Sequence, residues 1–327
     1  MGNKLQDGFI QGLTVRGIPL GQAYPGKIWW VNGSSVIPKR GVAGVDGGGD
    51  ATGNRPGDGS YLRPFATIDY AIGRCTASRG DIVAVMPGYT QNLTAAADIA
   101  LDVAGVAVVG LGAGTLRPQL SYPTTADGTF AVSAANCAVI GLDFISNFSD
   151  VTTLVTVAAA GLGTSFENCT FTETTPGNDL NYKAAVTLTT LAHDQSFIDC
   201  KFSANDVLMA SFITGVVHDR LYIENCSFFQ NAAQTTLTAL VVGSDVTSGV
   251  IRDSSFRSNK DGAKFIGFSG TSTGVIWGCS FSSIDTAGAT GSAGSGYVTT
   301  GFHCHNCYVS GEQDSWGIQG GGTAIGA

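Results

Sequence analysis

Apolar and polar positions alternate along this chain in a phrase that returns about every 25 to 31 residues. A large apolar residue is followed by two positions, a small residue, one position, and then usually Phe. The phrase reads Phe166-Glu167-Asn168-Cys169-Thr170-Phe171, then Phe197-Ile198-Asp199-Cys200-Lys201-Phe202 and Ile223-Glu224-Asn225-Cys226-Ser227-Phe228. It continues as Ile251-Arg252-Asp253-Ser254-Ser255-Phe256, Ile276-Trp277-Gly278-Cys279-Ser280-Phe281 and Cys304-His305-Asn306-Cys307-Tyr308-Val309. Period-two alternation predicts short strands, and a unit this small cannot bury its apolar face alone. The units must stack. Each carries a further apolar run, such as Ala184 to Leu191 or Leu237 to Val242, so two or three short strands per coil are expected.

The residue before the small position is Gly141, Asn168, Asp199, Asn225, Asp253, Gly278 or Asn306. These residue types tolerate the left-handed backbone region. The column predicts one sharp bend repeated up the stack, with Phe166, Cys169 and Phe171 inside and Glu167 and Thr170 outside. Cys169, Cys200, Cys226, Cys279 and Cys307 share one register, with Ser254 in line. Stacked strands lie about 4.8 Å apart, wider than the about 3.8 Å between disulfide Cβ atoms. A column of buried thiols is expected rather than a disulfide framework.

Four segments follow. Residues 1–45 lack the repeat and form an N-terminal arm, with Ile28-Trp29-Trp30-Val31 a strand inside it. Residues 46–79 hold a Gly- and Asp-rich loop and a short helix opened by Pro64, whose apolar face is Phe65, Ile68, Ile72 and Cys75. That helix would cap the stack. Residues 80–312 are the solenoid, and 313–327 a Gly-rich C-terminal tail. The fold class is all-β: a parallel β-helix with an N-terminal arm and a short capping α-helix.

Composition agrees. Of 327 residues, 46 are Gly and only 13% are charged, which suits many short strands and tight turns. The net charge of −8 argues against a nucleic-acid partner. The start has no apolar core of signal-peptide length, and the apolar stretch 99–114 is too broken to span a bilayer. No membrane partner and synthesis in a cytoplasm are therefore expected.

Candidate chemistry is sparse. The outward column Glu167, Ile198, Glu224, Arg252, Trp277, His305 contains two carboxylates about two strand spacings, or about 9.6 Å, apart. That is the edge of the range for an inverting glycosidase, and Trp277 could stack on a sugar. The alternative is a solvated surface with Glu224 paired to Arg252. Asp194, Asp219 and Asp245 could align as ligands or simply form turns. His303-Cys304-His305-Asn306-Cys307 resembles half a zinc site, but its thiols fall at inward positions. Asp46, Asp50, Asn54 and Asp58 have the wrong spacing for a calcium loop. No catalytic, cofactor-binding or metal-binding residue is therefore assigned, and no cofactor is expected.

The segments Ala66-Thr67-Ile68-Asp69-Tyr70-Ala71-Ile72, Gly80-Asp81-Ile82-Val83-Ala84-Val85-Met86-Pro87-Gly88-Tyr89 and Val108-Val109-Gly110 resemble the opening of pectin-lyase-like right-handed β-helix proteins. Lyases of that family use clustered Asp residues and an Arg or Lys base, and no such cluster is evident here. The longer opening, Pro25 to Asn32 and Arg63 to Cys75, is similar to structural β-helix proteins of tailed bacteriophages. The resemblance implies a right-handed coil and a non-enzymatic virion protein, a capsid decoration or head-associated component. It also implies a homotrimer, with the arm contacting the major capsid protein or another virion protein. A tailspike-like polysaccharide-degrading enzyme or an adhesin for host surface glycan is the alternative.

Overall fold

The structure is a computed structural model. It describes residues 26–33, 57–123, 128–174, 180–205, 209–231, 239–258, 264–283 and 302–310, with short backbone segments at 14–15, 18–19 and 317–319. The remainder of the arm, of the 46–60 loop and of the tail lies outside the described residues.

The chain winds as an all-β, right-handed parallel β-helix with three sheets running along the rod. The first sheet has ten parallel strands, from Ile28–Val31 and Ile82–Val85 to Phe302–His305. The second sheet runs from Thr90–Asn92 to Cys307–Ser310 and ends in one antiparallel strand, Gly317–Gln319. The third has seven strands, from Ile99–Leu101 to Lys264–Ser269. About seven complete three-strand turns result. At about 4.8 Å per strand the ten-stranded sheet is roughly 40 Å long.

Identical positions stack on one another because the register never slips in the first two sheets. Phe166 pairs with Phe197, Phe197 with Ile223 and Ile223 with Ile251. In the second sheet Phe144, Phe171, Phe202, Phe228, Phe256 and Phe281 form one pile of rings. Their centroids are 4.7–5.1 Å apart and their planes within 16° of parallel. The spacing is that of the strands themselves, so the backbone ladder sets the ring geometry. All six are buried.

The inner thiol column forms as expected. Cys169, Cys200, Cys226, Cys279 and Cys307 are buried and free, with Ser254 buried in line. Each thiol lies against a carbonyl of the preceding turn, Cys200 against Phe166 and Cys226 against Phe197. Ser254 uses its hydroxyl for the Arg252 carbonyl and receives the Cys226 N–H. Burial, with the Cys200 thiol beside it, pushes the Cys169 thiol well above its ordinary value. A buried thiol so raised is a packing group rather than a nucleophile.

Two expectations at the N-terminal end change. The helix spans only Ile68–Ile72, with Thr67 as its N-cap. Pro64 does not open it, because Phe65 is drawn into a parallel bridge with Val31 and donates its N–H to the Trp30 carbonyl. The helix still buries Ile68, Ala71 and Ile72 against the first turn. The arm is also not wholly separate from the rod. Ile28–Val31 pairs in parallel with Ile82–Val85 and supplies the first rung.

Asp81 fixes that rung. Its buried carboxylate accepts from the Lys27 and Thr76 N–H groups, each at 2.7 Å, and from the Arg79 guanidinium at 2.6 and 2.7 Å. Burial opposes its charge, but the Arg79 contact and the two N–H donors more than offset it, so its pKa lies below the usual carboxylate range. Gly26 is required here, since a Cβ would lie 2.1 Å from the Gly80 oxygen.

Candidate functional site

The bend between the first and second sheets produces the main surface feature. Two residues separate the strands in most turns, and the first of them is left-handed. Its φ is 69° at Gly141, 51° at Asn168, 55° at Asp199, 50° at Asn225 and 51° at Asp253. Gly278 and Asn306 continue the series at 63° and 51°. From Gly141 to Gly278 each donates its N–H to the next turn, Asn168 to Ile198 and Asp199 to Glu224. Their side chains are thereby set in a row on the outside.

That row lines an open groove of about 460 Å³, with Asn168, Asp199, Asn225, Asp253, Lys201 and Ser227 on its walls. The Asn225 amide donates to the Asp199 carboxylate at 2.5 Å. Carboxylates and amides alternate up the groove. The result is a polar surface of hydrogen-bonding groups at strand spacing.

Beside it runs the outward column of the first sheet, in the predicted order. Glu167 opposes Ile198, then Glu224, Arg252, Trp277 and His305 follow by register. Glu224 is not a free carboxylate. It accepts from the Tyr222 hydroxyl at 2.6 Å and pairs with Arg252. The Tyr222 hydrogen bond and then Arg252 hold it below the usual glutamate range. Glu167 receives the Ser165 hydroxyl at 3.3 Å and lies two turns away, with Ile198 between. The two are aligned, but Glu224, held below its ordinary range, does not have the raised pKa that an acid catalyst needs.

The column ends in aromatics. Trp277 is 48% exposed, its ring 5.6 Å from that of His305, and Tyr308 around the bend is 56% exposed. Sequence reasoning placed Trp277 outward correctly, but not its contact with His305.

The other candidates separate. Cys304 and Cys307 point into the core while His303 is exposed and His305 half-buried on the outside, so the four do not converge. Among the described residues no group of three His, Cys, Asp or Glu side chains could hold a metal. Asp194 and Asp219 lie on adjacent turns, but Asp219 opposes Thr247 rather than Asp245. Asp194 is held by Arg220, which lowers its pKa, and Asp245 accepts the Thr271 N–H. Asp194 and Asp245 have φ of 60° and 51°, the turn-forming role. Asp58 pairs with Arg63, and Asp46, Asp50 and Asn54 lie outside the described residues. Among the described residues no helix is long and apolar enough to cross a membrane.

Sequence reasoning missed a buried polar seam at the far end of the second sheet. Ser146, Glu173, Gln230 and Ser258 occupy its inner edge. The Glu173 carboxylate accepts the Asn205 N–H at 2.7 Å, Ser146 donates to the Asn181 carbonyl, and Ser258 to Gln230. These groups secure the connections to the third sheet. The only signal was a polar residue two positions after the repeated Phe.

No protein-family model matches the chain, and no curated protein does. Among solved structures it is similar to a rhamnogalacturonan lyase, at 12% identity over 92% of this chain and 85% of that one, with a TM-score of 0.50. It is also similar to a pectin methylesterase mutant in complex with a hexasaccharide, at 13% identity over 77% and 87% with a TM-score of 0.43. A third is ORF18 of Geobacillus virus E2, at 15% identity over 75% of this chain and 56% of that one, with a TM-score of 0.34. At such identities likeness concerns fold and not chemistry. The stacked register and the three sheets make this chain a parallel β-helix, the fold it shares with the rhamnogalacturonan lyase.

Proposed function

We propose that this protein is a structural, non-enzymatic component of a tailed-bacteriophage particle, a head-associated decoration. The observation that carries the reading is the state of the outward column. Of its two carboxylates, Glu224 is paired with Arg252 and accepts the Tyr222 hydroxyl, and the column changes from acid to base to aromatic over three turns. The resemblance of the opening segments to phage structural proteins adds support. Residues 28–32 and 63–65, from the two halves of that resemblance, meet at one end of the rod, where Asn32 donates to the Phe65 carbonyl and Phe65 to that of Trp30. In this reading the arm before Ile28 engages the major capsid protein or another virion protein, and the rod assembles as a homotrimer.

Mass spectrometry and immuno-electron microscopy of purified particles test the proposal. The chain should be present on the head in fixed copy number, and a chain lacking residues 1–25 should fold but not join particles. Absence from particles overturns the reading.

A second reading is favoured by exposed Trp277 and Tyr308 at the end of the polar groove: a glycan-binding or glycan-cleaving tailspike. The lyase with which the fold is shared acts, by its name, on rhamnogalacturonan. Turnover of host capsule or lipopolysaccharide that Glu224→Ala abolishes would establish that reading over the structural one.

A further inference from the structure

The corner that returns the chain from the third sheet to the first holds two histidines on successive turns, His193 and His218. Neither has a part in the groove or the outward column. His218 is only 2% exposed. It sits where the register shifts, between Val217 and His218, against the next strand. Its ring fills a notch left by Gly215, where a Cβ would fall 1.7 Å from Nε2.

The hydrogen bonds fix its tautomer. Nδ1 lies 3.3 Å from the Ala192 carbonyl, which can only accept, so Nδ1 carries the proton. Nε2 is buried and has no partner. A second proton would therefore create a buried cation whose new N–H meets the Gly215 backbone. Burial holds the ring below the ordinary histidine value and His193 lowers it further, against the Ala192 hydrogen bond and the Asp219 charge, which raise it.

The surrounding charges are each bound to other groups, and of the carboxylates Asp219 acts on His218 through space. His193 Nδ1 accepts the Asp219 N–H at 2.9 Å and lies 3.5 Å from the Asp219 carboxylate. That carboxylate takes the Thr247 hydroxyl. Asp194 is bound by Arg220, and Asp245 on the following turn by Thr271. The same turns meet through Leu191 N–H to the Val217 carbonyl and Asp194 N–H to the Asp219 carbonyl.

We propose that His218 makes this corner an acid-triggered seam. A proton taken from solvent onto Nε2 releases the contact between residues 191–195 and 217–220 while the stacked rungs on either side stay folded. The sign follows from linkage: a group whose folded value is depressed lends stability above its unfolded value, about 6.5, and loses it as pH falls through the folded value. One proton bound on opening raises the opening constant by up to about tenfold per pH unit.

Hydrogen exchange read by mass spectrometry at about pH 7.5 and about pH 5, corrected for intrinsic rates, tests this across the histidine range. Peptides covering 191–195 and 215–220 should lose protection at the lower pH, by up to about tenfold per unit, while those covering 197–202 keep it. His218→Asn retains a donor for Ala192 and cannot take the proton, so the loss should vanish. Equal protection at both pH values, or the same loss in H218N, overturns the proposal. Should H218N fail to fold, the ring titration of the unsubstituted protein by NMR decides. A midpoint below about 6.5 with local broadening supports the seam, and one at or above that value overturns it.

Discussion

Two connections in each turn follow opposite rules. From Gly141 to Gly278 the chain turns between the first and second sheets in two residues, the first always left-handed. Between the second and third it takes different lengths, from four residues before Val151 to eight before Tyr182. The short bend is fixed because both its flanks carry stacked buried side chains, Phe166 to Cys304 on one and Phe144 to Phe281 on the other, so an extra residue would invert every side chain beyond it. The long connection leaves the same ring-bearing strands but varies in length from turn to turn. Its ends are held instead by individual polar groups such as Ser146 and Glu173. Uniform columns tolerate no change in length, while locally satisfied loops do.

The comparison can be broken hardest at the rings. Phe202 lies 4.7 Å from both Phe171 and Phe228, so Phe202→Ala should cost about 3–5 kcal/mol, measured by urea unfolding. A loss below about 1 kcal/mol would mean that the pile is not what fixes the bend. Asp81→Ala comes next. It strands the N–H groups of Lys27 and Thr76, so a loss of about 2–4 kcal/mol is expected. In the unsubstituted protein this contribution is present above about pH 4, the unfolded Asp value, and disappears as pH falls through the lower folded one. Acid unfolding curves of the two proteins should therefore converge at low pH.

At the bend itself, Asn225→Ala should cost about 1–2 kcal/mol for the left-handed backbone, and Asn225→Gly clearly less. Equal costs would assign the Asn225 role to its bond with Asp199 instead. The smallest effect is expected from Glu224→Gln on the exposed column. It should leave the melting temperature nearly unchanged, since surface ion pairs contribute little. Insertion of one Gly after Asn147, in a long connection, should be tolerated, whereas one after Asn168 should not.

Much of this was legible because stacking turns sequence period into spatial register. The Phe and Cys columns, the left-handed series and the outward order Glu167 to His305 could all be read from spacing alone. The helix start could not, because Pro64 is a good first helical residue only until Val31, a distant segment, claims Phe65 for a bridge. Nor could the first rung, since Ile28–Val31 is separated from its partner at Ile82 by residues with no repeat. The candidate site was half legible. Which residues face outward is a matter of alternation, but whether Glu224 is free depends on rotamers of Tyr222 and Arg252 that no period encodes.

The strand Gly317–Gln319 runs against the direction of every neighbour in its sheet. A parallel edge is a template on which a second molecule could continue the winding indefinitely. A reversed strand presents a different pattern of donors and acceptors from a parallel one, and at the other end of the rod Phe65 bridges Val31 of the first sheet while the helix packs over the first turn. On that edge the parallel winding of the second sheet is interrupted by a strand of opposite sense.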